Sequence, residues 1–156
     1  EGLLLGGLSA VVDMRYPGVA VQAVLATLVV AGVTLALFAN GKIRTTPKLN
    51  KIFMIGALSY LGYGLVSMLT AGIFGSSLNS FSIGGIPLGL VVGLFAVALA
   101  TYSLLLDFTT TSEAVEAGLP ERESWRLAFG LTASLVWLYV EILRVLMYLA
   151  SIFRND

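Results

Sequence analysis

Four long apolar runs constrain the fold of this chain more than any other feature of its sequence. They cover residues 18–39, 51–72, 86–107 and 125–152. A helix that crosses the hydrocarbon core of a bilayer needs about 20 predominantly apolar residues, and each run reaches that length. Only 12% of the residues are charged, whereas soluble domains carry about 25%, so the chain lacks the charges that would cover such runs in water. The sequence therefore predicts an integral membrane protein.

A fifth apolar run, residues 2–12, is about half as long as a span. We expect it to be the end of a further helix that the numbered chain enters part-way, because no basic segment of a signal peptide precedes it. The expected fold is a single all-α domain over residues 1–156. It is a polytopic transmembrane helix bundle of about five helical segments, in which the third long run continues as a helix to residue 117.

The connecting segments predict the orientation of the bundle. Residues 40–51 carry Lys42, Arg44, Lys48 and Lys51 and no acidic residue. Cytoplasmic loops carry an excess of Lys and Arg, so we expect this segment in the cytoplasm. Alternation then places the uncharged residues 74–85 outside, residues 109–124 in the cytoplasm and the C-terminus outside.

The last two spans are expected to form an antiparallel hairpin around Gly118 and Pro120. Gly118 suits the residue just after a helix end, and Pro120 suits the start of the next helix. Asp107 lies about eleven residues before this turn. Its level on the facing helix therefore falls near Leu131 or a little beyond.

A ridge of small residues opens the third long run. Gly85, Gly89 and Gly93 repeat at four-residue spacing, which lets two helix backbones approach closely. We interpret these glycines as a helix-packing face and not as a binding site.

Few ionisable residues lie at membrane depth: Asp107, Glu141, Arg144 and Glu1. A charge at the centre of a bilayer costs at least ~2.5–3.5 kcal/mol, so such residues face the protein interior and commonly carry function. Glu141 and Arg144 are three residues apart and can pair on one helix face. That pair fits a functional role and equally a buried ion pair that fixes the rotation of the helix.

Asp107 has no basic neighbour within a helical turn. Desolvation makes the charged form of such a carboxyl group costly, so Asp107 is a candidate for proton exchange near neutral pH. The alternative is a solvated acid that ends the span at the cytoplasmic interface.

Missing residue types exclude several classes of site. The chain has no Cys and no His, which excludes disulfides, thiolate metal sites, a cysteine nucleophile and a histidine base. It also has no HExxH motif and no paired intramembrane aspartate motif. We therefore expect no enzyme, no metal site and no cofactor, and the zero net charge gives no indication of a nucleic-acid partner.

Several segments together resemble the transmembrane Bax inhibitor motif family, which includes bacterial calcium-leak proteins. The aspartate of YSLLLDF, Trp125 and the pattern LTASLVWLYVEILRVL are similar to its last two helices. EGLLLGGLS, a tyrosine-proline turn and VAVQAVLATLVVAGVTLALFA resemble its third and fourth spans, and KIRTTPKLNKIFMIGALSYLGYGLV resembles an actinobacterial-type branch. The resemblance covers nearly the whole chain.

The resemblance implies a seven-helix fold with a central last helix, of which this chain lacks the first two helices. It also implies a calcium leak controlled by a proton that two aspartates share, one on each of the last two helices. Asp107 matches the first aspartate. Ser134 stands at the second in an ungapped alignment, and Glu141 is the nearest acid on that helix, two turns further. The two alternatives are that Asp107 pairs with Ser134 or with Glu141.

The first functional hypothesis is a pH-influenced passive leak for calcium or another cation in the bacterial plasma membrane, with calcium as transported ion and not as cofactor. Asp107 is its titrating group, Ser134 and Glu141 are candidate partners, and Arg144 is an electrostatic modulator. The alternative is a non-transporting membrane protein that regulates membrane-protein partners in stress response or protein quality control.

Overall fold

Five α-helices make up almost all of the computed structural model, which describes residues 2–41, 46–75, 82–84 and 86–154. In chain order they are α1 (Gly2–Arg15), α2 (Val19–Ala39), α3 (Pro47–Phe74), α4 (Leu88–Ala117) and α5 (Glu123–Arg154). Two strands of two residues each, β1 (Ser82–Ile83) and β2 (Ile86–Pro87), pair antiparallel just before α4. The predicted all-α helix bundle is confirmed.

Four of the described helices, α2 to α5, are long and apolar enough to cross a membrane. α1 has 14 residues and is about 21 Å long at 1.5 Å per residue, which is shorter than a hydrocarbon core of about 30 Å. The protein is therefore a multi-pass membrane protein.

Local sequence explains where α3 begins and where α4 ends. The Thr46 side chain accepts a hydrogen bond from the Leu49 N–H at 3.1 Å, and Pro47 occupies the first helical position of α3. At the end of α4, Gly118 has a φ of +66°, a backbone conformation that glycine adopts without strain. The amides of Gly118 and Leu119 donate to the carbonyls of Val115 and Ala114, both at 3.2 Å, which satisfies two carbonyls of the last turn.

The hairpin turn differs from the prediction in one respect. Pro120 does not begin the next helix, because α5 begins at Glu123. The Pro120 carbonyl accepts from the Glu123 amide at 3.0 Å, and the Glu121 carbonyl accepts from the Ser124 amide at 2.9 Å. These two short-range bonds form a separate turn, which lengthens the connection before α5 runs back along α4.

α5 lies at the centre of the bundle and contacts every other described helix. Its most extensive interface is with α4, followed by α2. Tyr139 of α5 shares a 2.5 Å hydrogen bond with Ser9 of α1, and Glu141 accepts a hydrogen bond from Tyr60 of α3. The largest fully buried side chains belong to α4 and α5; they are Leu104, Leu138 and Leu143.

α3 lies at the edge of this arrangement. Ser67 is its one buried residue among those described, whereas most of its large apolar side chains are exposed. Lipid tails are as apolar as leucine, so an exposed apolar surface of this kind suits contact with the bilayer.

Two of the three ridge glycines lie at the α4–α5 interface, and Gly85 lies outside the described residues. Gly89 and Gly93 are buried. A Cβ atom added to Gly93 would lie 2.9 Å from Cγ2 of Val145, and one added to Gly89 would overlap the ring of Tyr148. The two helices therefore pack closely at Gly93, whereas at Gly89 the absence of a side chain makes room for the ring of Tyr148.

We expect Gly93→Ala to lower the apparent melting temperature of the detergent-solubilised protein, because overpacking a closed interface costs about 1–3 kcal/mol. Gly62→Ala is the matched control, since it lies in α3 with nothing within 4 Å of its added Cβ and should be neutral or slightly stabilising. Adding Val145→Ala to Gly93→Ala should restore part of the loss. Equal melting temperatures for the two glycine variants would contradict the close approach.

Candidate functional site

The buried polar residues of α5 belong to two clusters on nearly the same helix face. The Asp107 cluster consists of Ser103, Asp107 and Ser134, and the Glu141 cluster consists of Tyr60, Glu141 and Arg144. Ser134 and Glu141 are seven residues apart, which is about two turns and ~10 Å of helix rise.

In the Asp107 cluster, the hydroxyl groups of two serines and the carboxyl group form a hydrogen-bonded chain. The Ser134 Oγ donates a hydrogen bond to Oδ2 of Asp107, and the hydroxyl oxygens of Ser103 and Ser134 are 2.9 Å apart. A serine hydroxyl has a single proton to donate, so Ser103 is the donor to Ser134. Of the two candidate partners of Asp107, the structure therefore places Ser134 in contact.

The backbone explains why these three residues meet. Ser103 and Asp107 are four residues apart on α4 and point to the same side. On α5, Gly130 lies one turn before Ser134, and a Cβ atom at Gly130 would come within 3.5 Å of Oδ1 of Asp107. That distance is an ordinary van der Waals contact, so α5 packs directly against the carboxyl group at this level.

Asp107 lies towards one end of the bundle. Its side chain is half-buried, and the neighbouring Phe108 packs against Phe38 with ring centroids 6.0 Å apart. Phe38 is the second-last residue of α2, so Asp107 is level with the end of α2 that leads to residues 40–51. The sequence allows two predictions for Asp107: a buried acid, or a solvated acid at the end of a span. The structure shows a half-buried acid near the end of the bundle, so each prediction is correct in part.

The Glu141 cluster lies near the middle of the bundle, since Tyr60 is midway along α3. Glu141 is 3% exposed. The Tyr60 hydroxyl donates to Oε1 of Glu141, and Nη1 of Arg144 donates to the Tyr60 oxygen at 3.4 Å. Nε of Arg144 is 4.0 Å from Oε2 of Glu141. Glu141 and Arg144 thus face each other on one side of α5, and the Tyr60 hydroxyl on α3 contacts both of them.

An apolar layer separates the two clusters. Leu138 lies one turn from both Ser134 and Glu141 and has no exposed surface. Leu104 and Ala100 of α4 are also fully buried and belong to the same hydrophobic core. This layer keeps the hydroxyl and carboxyl groups of the two clusters apart.

Sequence reasoning missed Tyr60 and Ser103. Tyr60 is one of several aromatic residues in an apolar helix, and nothing in its spacing separates a protein-facing from a lipid-facing side. Ser103 had a usable signal, since it lies one turn before Asp107 and must share its helix face.

The described residues contain no group of three or more His, Cys, Asp or Glu side chains that could hold a metal ion. Each of the two clusters has a single carboxyl group.

Comparison with known families gave one finding. A family model described as Bax inhibitor 1 like matches residues 1–151, a range that includes both clusters. No curated protein and no solved structure matches the chain.

We expect Ser134→Ala to lower the stability of the folded protein by about 1–3 kcal/mol, because Oδ2 of Asp107 and the Ser103 hydroxyl both lose their partner. Ser103→Ala is the matched control and should cost less, since it leaves the bond between Ser134 and Asp107 intact. Thermal unfolding in detergent measures both variants. Equal losses would show that Ser134 does not hold the carboxyl group.

Proposed function

The chain belongs to the Bax inhibitor 1 like family, and from that membership and the geometry of the Asp107 cluster we propose that it is a passive cation leak. Calcium is the candidate ion, the bacterial plasma membrane is the proposed location, and Asp107 is the group through which pH acts. The segment at residues 40–51 then faces the cytoplasm.

The observation that carries this proposal is the state of Asp107. It is a half-buried carboxyl group between α4 and the central helix, and within the described part of the chain it forms no ion pair. A desolvated carboxyl group without a cation beside it either holds a proton or attracts a positive ion. Both behaviours are what a proton-regulated cation leak requires.

The arrangement along α5 supports a route for the ion. Ser134 and Glu141 lie on nearly the same face of the central helix, one towards the end of the bundle and one near its middle. The layer around Leu138 and Leu104 separates them, since both side chains are fully buried. In the proposed mechanism this conformation is the closed one, and conduction requires that α4 and α5 separate at that layer.

The pH response differs from that of a shared-proton pair of aspartates. Ser134 donates to Asp107 but has no second carboxyl group with which to share a proton, so Asp107 titrates by itself. At low pH the group is neutral, and at higher pH it is negative and attracts cations. The flux should therefore rise with pH and follow a single titration.

We expect calcium entry into liposomes that contain the protein and an internal calcium dye to be faster at about pH 8 than at about pH 6. Asp107→Asn should remove this difference, because the amide cannot ionise. Glu116→Gln is the matched control: it neutralises an exposed acid near the end of the same helix and should keep the pH response. A pH response that survives Asp107→Asn would assign it to another group.

One observation favours the alternative, a non-transporting protein that regulates membrane partners: the apolar layer between the two clusters is fully buried. That hypothesis expects no calcium entry above that of empty liposomes at either pH from well-folded protein. It also expects Asp107→Asn to disturb assembly with partners. We propose no enzymatic activity, since the Ser134 hydroxyl donates to a carboxyl group and the chain has no His to activate it.

A further inference from the structure

Two clefts approach the Glu141 cluster from the end of the bundle opposite Asp107. The α3 cleft has a volume of about 420 Å³ and follows α3 from its middle towards its C-terminal end. The α5-end cleft has a volume of about 230 Å³ and lies beside the last turns of α5. The residues that line the α3 cleft include Tyr60, Tyr63, Gly64, Ser67 and Ala71. Those that line the α5-end cleft include Tyr16, Tyr148 and Ser151.

Arg144 lines both clefts. Its side chain is 32% exposed, whereas the side chain of Glu141 behind it is 4% exposed. The guanidinium group thus stands between the carboxyl group and the open space on either side. A solute in either cleft meets Arg144 before it meets Glu141.

The contacts that hold Arg144 in this position are incomplete. Oε2 of Glu141 and Nε of Arg144 are buried, and neither has a hydrogen-bond partner among the described residues. Their separation of 4.0 Å is too long for a hydrogen bond, and the bond from Nη1 to Tyr60, at 3.4 Å, is also long. Attraction between the two charges holds the guanidinium group there, with little directional bonding to resist its displacement.

Oε1 and Oε2 of Glu141 therefore differ in what they can bind. Oε1 accepts the Tyr60 hydroxyl, and Oε2 faces the guanidinium group. A nearly buried carboxylate with an oxygen that accepts no hydrogen bond is a ligand for a hard cation, which prefers oxygen donors. Two positive charges repel each other at one carboxylate, so an inorganic cation and the guanidinium group compete for the same place.

We propose that Glu141 is a binding site for an inorganic cation and that Arg144 is a tethered cation that occupies it in the closed protein. The guanidinium group blocks access to Glu141 from both clefts. When Arg144 swings into either cleft, the carboxylate is exposed and binds a metal ion weakly enough to release it, as conduction requires. This inference rests on the proposed cation leak and adds a second ion site to it.

Terbium(III) is a suitable probe, because it takes oxygen ligands as calcium does and its emission is sensitised by nearby aromatic rings. Tyr60 touches Glu141, and its ring centroid is 6.3 Å from that of Trp137. Terbium emission excited through these rings therefore reports an ion at Glu141, independently of any flux. The titration uses the purified protein in detergent at about pH 8.

We expect wild-type protein to show little terbium emission that depends on Glu141, and Arg144→Gln to show a several-fold increase. Adding Glu141→Gln to Arg144→Gln should abolish the increase. Arg126→Gln is the matched control, because it removes an arginine that is 86% exposed at the other end of α5 and should leave the emission unchanged. An Arg144→Gln protein without emission that depends on Glu141, or a wild-type protein with equal emission, overturns the proposal.

A second variant covers the case in which Arg144→Gln, with its unpaired carboxylate, does not fold. Tyr60→Phe keeps both charges and removes the hydroxyl that Arg144 contacts, so it should give a partial increase that Trp137 sensitises. If the folded Tyr60→Phe protein shows no increase either, the proposal is wrong. Calcium flux in liposomes separates this inference from the leak itself: terbium bound at Glu141 with no flux from any variant would keep the site and exclude the leak.

Discussion

A carboxyl group near the middle of a membrane-embedded bundle is the constraint on which the rest of this structure depends. Lipid offers Glu141 no hydrogen bond and no counter-ion, so the protein must supply both. Arg144 supplies the charge from the same helix, and Tyr60 supplies the hydroxyl from α3. These contacts require that α5 be enclosed by other helices. Gly89 and Gly93 of α4 contribute to this enclosure, because their lack of a side chain lets Tyr148 and Val145 of α5 pack against α4.

The two acids of the bundle interior are stabilised in different ways, and the difference suggests different roles. Glu141 has a cation opposite it, so a positive charge within the protein partly compensates the charge of its carboxylate. Asp107 has a serine hydroxyl and no ion pair among the described residues, so its charge depends on its proton. In the proposed leak, the end of the bundle near Asp107 responds to pH, whereas in the middle of the bundle the positive charge of Arg144 restricts access to Glu141.

The sequence predicted those features that depend on spacing along a helix. The number of spans followed from the lengths of the apolar runs, and counting back from Gly118 placed Asp107 opposite the segment that contains Ser134. The pair of Glu141 and Arg144 followed from a separation of three residues. Tyr60 could not be predicted, because an apolar helix in lipid shows no periodicity that separates its lipid-facing from its protein-facing side. The turn after Pro120 depends on backbone hydrogen bonds that composition does not specify.

Ser134 and Glu141 are carried by one helix, and this links the two ends of the proposed route. A helix moves as a nearly rigid element, so a shift of α5 that separates Ser134 from Asp107 also displaces Glu141 and Arg144 relative to α3. Leu138 lies between them on the same helix and would leave its place in the apolar layer in the same movement. In the proposed mechanism, loss of the proton from Asp107 favours one displacement of α5 that both opens the layer and releases Arg144. Allostery physically requires a two-state element that several groups bias together, and in the proposed mechanism the central helix α5 is that element.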